Sequence, residues 1–264
     1  MGIGRVAVTI AACIRVPEGV VLASESRQVY PNERGNFRVA TDNAQKVFDL
    51  SPKVGGVTYG QAALSGRSIL SLVEQYKATI GSLEGVSVKD IAQGLGKSVD
   101  EKWQEQAKSN PEEKPDNVGF IVAGYDTEGT RGVFECAVPG PSVVEIGSPD
   151  DFGATWKGQT DVVTRLIKGF DPRIGTLSWF KPEFVKELDL LNSVVRFNVL
   201  TLQDAVDFAI FLIRTTIDMQ RFSDGIVLSP GDVPGTGGPI DICVIRPNEG
   251  LHWVQRKELK GESR

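Results

Sequence analysis

Histidine is almost missing: the 264 residues contain one, His252. A histidine metal cluster is thereby excluded, and a Ser-His-Asp triad would have to use that single residue. It alternates with Leu251 and Trp253 in "GLHWVQ" and reads as a surface position on a late strand. Cysteine is scarce as well. Cys13, Cys136 and Cys243 form no C-x-x-C pair, and each sits in an apolar run. Buried free thiols in a reducing compartment are expected, with no disulfide, metal or cofactor. Basic residues are not in excess: 29 Lys and Arg face 34 Asp and Glu, a net charge of -5. The chain therefore lacks the electrostatic footprint of a nucleic-acid binder. No apolar run reaches the ~18 residues that span a bilayer. The N-terminus has an arginine but no apolar core followed by a cleavage site, so no signal peptide is expected. A cytoplasmic protein without membrane partners follows as the expectation. Fixed-period repeats and low-complexity segments are also absent.

What is present is an ordinary globular composition, 41% hydrophobic and 24% charged, long enough for one large domain. Val6–Val16 and Val20–Ser24 are aliphatic and β-branched, joined by a turn with Pro17 and Gly19. "NERGN" at 32–36 reads as a loop, and Lys46–Leu50 with Val54–Gly60 as a hairpin around Ser51-Pro52. The period then becomes helical. Ile69, Leu72, Val73, Tyr76 and Ile80 share one face, with Gly81 as a stop. Ser87, with Asp90 three residues on, caps a second helix whose stripe is Val88, Ile91, Ala92, Leu95, Val99 and Trp103. Strands are predicted over Val118–Tyr125, Gly132–Val138 and Ser142–Ile146. Helices are predicted over Trp156–Gly169 and Lys181–Asn192, and one is capped by Thr201 with Leu202, Val206, Ala209, Ile213 and Ile217 on one face. The strands "IDICVIRP" and "LHWVQ" finish the chain. Strands cluster at both ends and in the middle, which is not the alternation of a doubly wound sheet. Two antiparallel sheets packed face to face, with helices on the outer faces, is the predicted architecture: an α+β, four-layer αββα sandwich.

Two glycine-rich stretches invite ligand readings. "GDVPGTGG" (231–238) lacks the Gly-Lys-Ser/Thr ending of a phosphate loop and leads into a strand, so it reads as a long loop. "GQAALSG" (60–66) joins a strand to a helix, where a backbone N–H near a helix start can meet a ligand, but glycine at a strand end is common. Thr9 in a strand, Glu25 and Arg27 at a strand end, and Lys46 before "VFDL" each have ordinary structural explanations when taken singly.

Together they have a specific spacing. "TIAACIRVPEGVVLASESR" starts at Thr9 and places Glu25 and Arg27 sixteen and eighteen residues later. "DNAQKVFDL" supplies Lys46, "GGVTYGQAA" supplies Thr58 and Gly60, and "IVAGYDTEGTRGVFECAVPG" and "GTGGPIDICVI" follow. This set resembles the β subunits of the 20S proteasome, within the N-terminal-nucleophile hydrolases, over most of the chain. The resemblance implies a single domain over residues 9–264 after a possible propeptide or extension at 1–8, with a probable insertion around 170–199. It implies a threonine-type endopeptidase: Thr9 as nucleophile exposed by autolysis, Lys46 and Glu25 as its activating pair with Arg27 in support, Gly60 as oxyanion donor, and Thr58 shaping the substrate pocket. A peptide or unfolded protein would be the substrate, and a homo-oligomeric ring the working form.

That chemistry suits these residue types. A threonine hydroxyl needs an adjacent base, and with no histidine at hand the α-amine of a chain-terminal threonine can serve. A lysine ammonium beside it favours the alkoxide, and a carboxylate keeps that lysine in place. The chain departs from the family pattern at Val8, where glycine is usual, and near Lys157 in "TWKGQ", where a turn serine is usual. Asp218, Asp224 and Asp232 compete for the late-helix carboxylate, and Thr236 stands where a second serine would be. Two other readings stay open: an unprocessed, non-catalytic subunit with an assembly role, and an amidohydrolase acting on small molecules.

Overall fold

In a computed structural model of the chain, the described residues are 9–31, 37–80, 85–223, 225–226, 229–230, 234–259 and 261. The element order begins with β1 (Ile10–Val16), β2 (Gly19–Ser24), β3 (Gln28–Pro31), β4 (Phe37–Thr41), β5 (Val47–Ser51), β6 (Val54–Gly60), β7 (Ala63–Leu64) and β8 (Arg67–Ser68). Two helices follow, α1 (Ile69–Ile80) and α2 (Val88–Ser109), then β9 (Val118–Tyr125), β10 (Arg131–Val138), β11 (Ser142–Glu145) and β12 (Gly153–Gly158). The last third holds α3 (Asp161–Lys168), α4 (Val185–Leu188), α5 (Leu202–Phe222), β13 (Gly225–Ile226), β14 (Ser229–Pro230), β15 (Asp241–Arg246) and β16 (Gly250–Gln255).

The chain is a mixed α+β fold with antiparallel sheets. One five-stranded sheet has the order β12-β1-β2-β15-β16, and a second has β11-β10-β9-β6-β5. Strand alternation sorts the apolar residues between them. Ala11, Cys13, Val20 and Leu22 of the first sheet share a cluster with Val47, Val57, Ile121 and Ala123 of the second. The opposite phase of the first sheet, Ile10, Ile14, Val21 and Ala23, packs with Val206, Ala209, Leu212 and Ile213 of α5. On the second sheet, Phe48, Phe120 and Val122 pack with Leu72 and Val73 of α1 and Ile91, Leu95 and Val99 of α2. Strands β1 and β2 are buried along their whole length, including the polar Arg15 and Ser24 within their otherwise apolar runs.

The helix signals act as read. Ser87 Oγ accepts the Asp90 N–H, and the predicted α2 stripe is buried. Thr201 and Asp204 close a capping box at the start of α5. Two predicted helices need correction. Trp156–Gly169 divides: its first three residues belong to β12, paired with β1 from Ile10↔Gly158 to Arg15↔Gly153, and only Asp161–Lys168 is helical. Lys181–Asn192 is one α turn between two 3-10 turns, Pro182–Phe184 and Asp189–Leu191. Leu190 there is 84% exposed, so the apolar residues lack the packed surface that propagates a helix. Between β6 and α1 the "GQAALSG" stretch forms the small β7–β8 pair rather than running straight into the helix. His252 lies exposed on β16, as read. Residues 32–36, Gly81 and Val8 lie outside the described residues.

Candidate active site

Thr9 immediately precedes β1 and shares the strand phase of Ala11 and Cys13, so it belongs to the face turned toward the second sheet. It is buried, and its carbonyl accepts the Gln159 N–H at 2.6 Å. Close approach is possible because residue 158 is glycine: φ is +90°, and a Cβ there would stand 1.8 Å from the Thr9 oxygen. The edge strand β12 thus closes directly over the threonine.

The β1–β2 hairpin delivers the acid. Its register runs from Val16↔Gly19 to Ala11↔Ser24, so the next step of the chain brings Glu25 level with the start of β1. Glu25 is 1% exposed. Its Oε2 accepts the N–H of Arg27 at 2.6 Å and of Gly237 at 3.1 Å, while Oε1 accepts from Lys46. Lys46 arrives from the second sheet, where its carbonyl accepts the Thr58 N–H at 3.0 Å. Its three ammonium hydrogens have three acceptors: Thr9 Oγ1 at 2.9 Å, Glu25 Oε1, and the Arg27 carbonyl at 2.6 Å. A hydroxyl, an ammonium and a carboxylate, separated by 37 and 21 positions in sequence, meet in one chain of hydrogen bonds.

Burial sets the electrostatics of this group. It pushes the Lys46 ammonium below the ordinary lysine range, an effect that the attraction and hydrogen bond of Glu25 only partly offset. Burial likewise pushes Glu25 above the ordinary carboxylate range, against the pull of Lys46 and the two backbone N–H groups. As an ammonium, Lys46 donates to Thr9 Oγ1 and would favour the alkoxide over the hydroxyl.

Strand alternation turns the Gly60 N–H to the same edge of β6 as the Thr58 N–H, which meets Lys46. Gly60 has φ +89°, and a Cβ there would lie 2.3 Å from the Asn117 carbonyl, the acceptor of the Gln61 N–H at 2.9 Å. A cavity of about 740 Å³ opens here, lined in part by Thr9, Lys46, Thr58, Gly60, Ala62 and Ile69. Thr58 Oγ1 donates to the Gly119 carbonyl at 3.2 Å, which commits its hydroxyl to the backbone. Glu25 sits behind Lys46 and does not line the cavity.

Five of the residues singled out from the sequence, Thr9, Arg27, Lys46, Thr58 and Gly60, are therefore brought to one cavity, with Glu25 in contact through Lys46. Arg27 differs in detail. Only its backbone N–H supports Glu25; its guanidinium binds both oxygens of Asp42, at 2.7 and 2.9 Å, and the Pro234 carbonyl at 3.1 Å. The late-helix position differs too. Thr236 N–H and Oγ1 both donate to Gln220 Oε1 at 2.9 Å, so the α5 residue bonded to Thr236 is Gln220. Asp224 and Asp232 lie outside the described residues. Lys157 pairs with Glu135 at 2.6 Å, and Glu135 also accepts the Tyr59 hydroxyl at 2.5 Å. Burial and Glu135 hold that phenol in its protonated form. The sequence reading missed Gly237, whose N–H holds Glu25 although it belongs to the stretch read as a plain loop; the hint was the spare glycine in "GTGG".

The two antiparallel sheets, their helices and this cleft define a mixed α+β fold class. Solved structures specify it further. The helical assembly of the Anbu complex from Pseudomonas aeruginosa has a TM-score of 0.61 at 17% identity, covering 95% of this chain and 88% of that one. Anbu (ancestral beta-subunit) from Yersinia bercovieri gives 0.58 at 14% identity, with 93% and 87% covered. An Anbu (Gly-1) mutant from Hyphomicrobium sp. strain MC1 gives 0.57 at 16% identity, with 92% and 84% covered. No protein-family model and no curated relative matches the chain. The resemblance read from the sequence is thereby corrected: these structural neighbours are Anbu proteins rather than 20S proteasome β subunits. At these identities the likeness establishes the fold.

Proposed function

We propose that this protein is a threonine-nucleophile amide hydrolase that cleaves peptide bonds, built on the fold it shares with Anbu proteins. The observation that carries the reading is the single ammonium of Lys46 bonded to both Thr9 Oγ1 and Glu25 in a buried cleft. The three apolar clusters, one between the sheets and one under each helical face, support a four-layer αββα sandwich as the frame.

In this reading Thr9 Oγ first attacks the Val8 carbonyl, the Val8–Thr9 C–N bond breaks as the released α-amine takes the hydroxyl proton, and water hydrolyses the resulting ester to free residues 1–8, leaving that amine as the base. In turnover that amine takes the hydroxyl proton as Oγ attacks the substrate carbonyl. Lys46 stabilises the developing alkoxide, and Glu25 holds Lys46. The Gly60 N–H meets the oxyanion; one such donor is worth about 3–4 kcal/mol. The C–N bond then breaks, the leaving amine takes the proton back, and water hydrolyses the Thr9 ester by the same relay. Thr58, whose hydroxyl is held by Gly119 and which lines the cavity, shapes the pocket for the substrate side chain. Self-assembly is part of the proposal, because one structural neighbour is described as a helical assembly.

Intact mass of the purified protein tests this reading. The wild type is expected to lose residues 1–8 and to gain one adduct with a threonine-directed epoxyketone, whereas Thr9→Ala keeps its full mass and gains none. A stable full-length wild type that forms no adduct overturns it in favour of a non-catalytic subunit. Cleavage of small amides but not of fluorogenic peptides would reassign the substrate.

A further inference from the structure

The chain after β16 does not leave the fold; it returns to the back of the Glu25–Lys46 pair. Gln255 Nε2 donates to the Ile240 carbonyl at 2.9 Å. Arg256 lies over the Trp253 ring, 4.7 Å from its centroid, and donates to Gln45 Oε1 at 3.3 Å, one residue before Lys46. Lys257 is anchored twice on Asp241, through its backbone N–H to Oδ1 at 3.0 Å and through Nζ to Oδ2. Asp241 is 1% exposed. The same Nζ donates to Ser26 Oγ at 2.7 Å, one residue after Glu25. Ser26 is in turn saturated: its N–H donates to the Gly237 carbonyl, its carbonyl accepts the Ala44 N–H, and its hydroxyl donates to the Pro239 carbonyl at 2.6 Å.

We infer that residues 255–257 form a strap that positions the acid–lysine pair, with Lys257 as a positioning residue for the reaction proposed above, on which this inference rests. Its two outer contacts fall on Gln45 and Ser26, the neighbours of Lys46 and Glu25, so both segments that carry the pair are held by one short piece of chain. An ion pair placed on Ser26 acts through backbone position, since Lys257 has no contact with Thr9 among the described residues. It also acts through charge. The charged groups around Lys46 are Glu25, Arg27 (neutralised by Asp42) and Lys257 (neutralised by Asp241). A second ammonium there disfavours a proton on Lys46.

The test compares Lys257→Met, Lys257→Arg and the double variant Lys257→Met/Asp241→Asn. For Lys257→Met, kcat falls about 10-fold with little change in KM, the effect expected of a slight misplacement of reacting groups. The Lys46 titration, followed by NMR of the labelled side chain, moves up by about 0.5–1 pH unit, because a cation is lost and a carboxylate is uncovered. Lys257→Arg restores kcat, since it can still bridge Asp241 and Ser26. The double variant keeps the kcat loss, but its Lys46 titration returns toward wild type. A Lys257→Met protein with unchanged kcat and unchanged Lys46 titration overturns the inference, whether or not its melting temperature falls. If the wild type proves to have no peptidase activity, the Lys46 titration still decides the strap independently of the proposed reaction: an upward shift supports it, and none overturns it.

Discussion

Removing either member of the Glu25–Lys46 pair should destabilise the protein with opposite dependence on pH. Both groups are buried, and each partly restores the other's charge. In Glu25→Gln the lysine loses the partner that raised its proton affinity, so its folded pKa drops further below the unfolded value of about 10.4. The folded state then binds fewer protons than the unfolded state across that interval, and stability is lost as pH falls through it. In Lys46→Met the carboxyl loses the partner that lowered its pKa, so its folded value rises further above about 4.3. Here the folded state binds more protons, and stability is lost as pH rises. Breaking a buried pair from one side costs about 3–5 kcal/mol. Glu25→Gln belongs at the low end, because the amide oxygen can still accept the Arg27 and Gly237 N–H groups. The double variant removes both charges and should cost only about 1–2 kcal/mol, leaving a coupling of about 4 kcal/mol or more. Urea unfolding followed by the fluorescence of the four tryptophans at pH 6 and pH 9 gives all the terms. Relative to wild type, Glu25→Gln should improve from pH 6 to pH 9 and Lys46→Met should worsen. Slopes of the same sign, or singles that add to the double within about 0.5 kcal/mol, would refute the reasoning.

Gly60→Ala is expected to lose both stability and turnover: left-handed backbone costs a side chain about 1–2 kcal/mol, and the Asn117 carbonyl blocks the new methyl group. Unfolding and single-turnover assays should show the two losses together, and an intact rate would remove Gly60 from the oxyanion role. All three thiols are buried, with burial pushing Cys13 up to about 12 and Cys136 up to about 11; a thiol reagent should label none of them in the native protein and all three in denaturant. Ser87→Ala removes the α2 cap and should cost about 1 kcal/mol in urea unfolding.

Strand phase and helix capping carried most of the fold in the sequence, because both are local. The aliphatic, β-branched run showed a strand, which the structure has at Ile10–Val16, and Ser87 and Thr201 marked helix starts that the structure keeps. Trp156–Gly158 was misread because its strand character comes from pairing with β1, more than 140 positions away in sequence. Thr9, Glu25, Lys46 and Gly60 were legible as a set only through the family resemblance that their joint spacing carries, since each alone reads as an ordinary structural residue. Their supports were not. Asp42 under Arg27, Gln220 under Thr236 and Gly237 over Glu25 are joined by side-chain or loop contacts that no local pattern encodes.

The cations on the cavity wall have a further consequence. Arg27 and Lys46 both face the cavity, yet each is already matched, Arg27 by Asp42 and Lys46 by Glu25. On the proposed function, these two cations add little net field of their own for an approaching peptide, because each is matched within the wall. Salt should therefore change little of what these two groups contribute to substrate association.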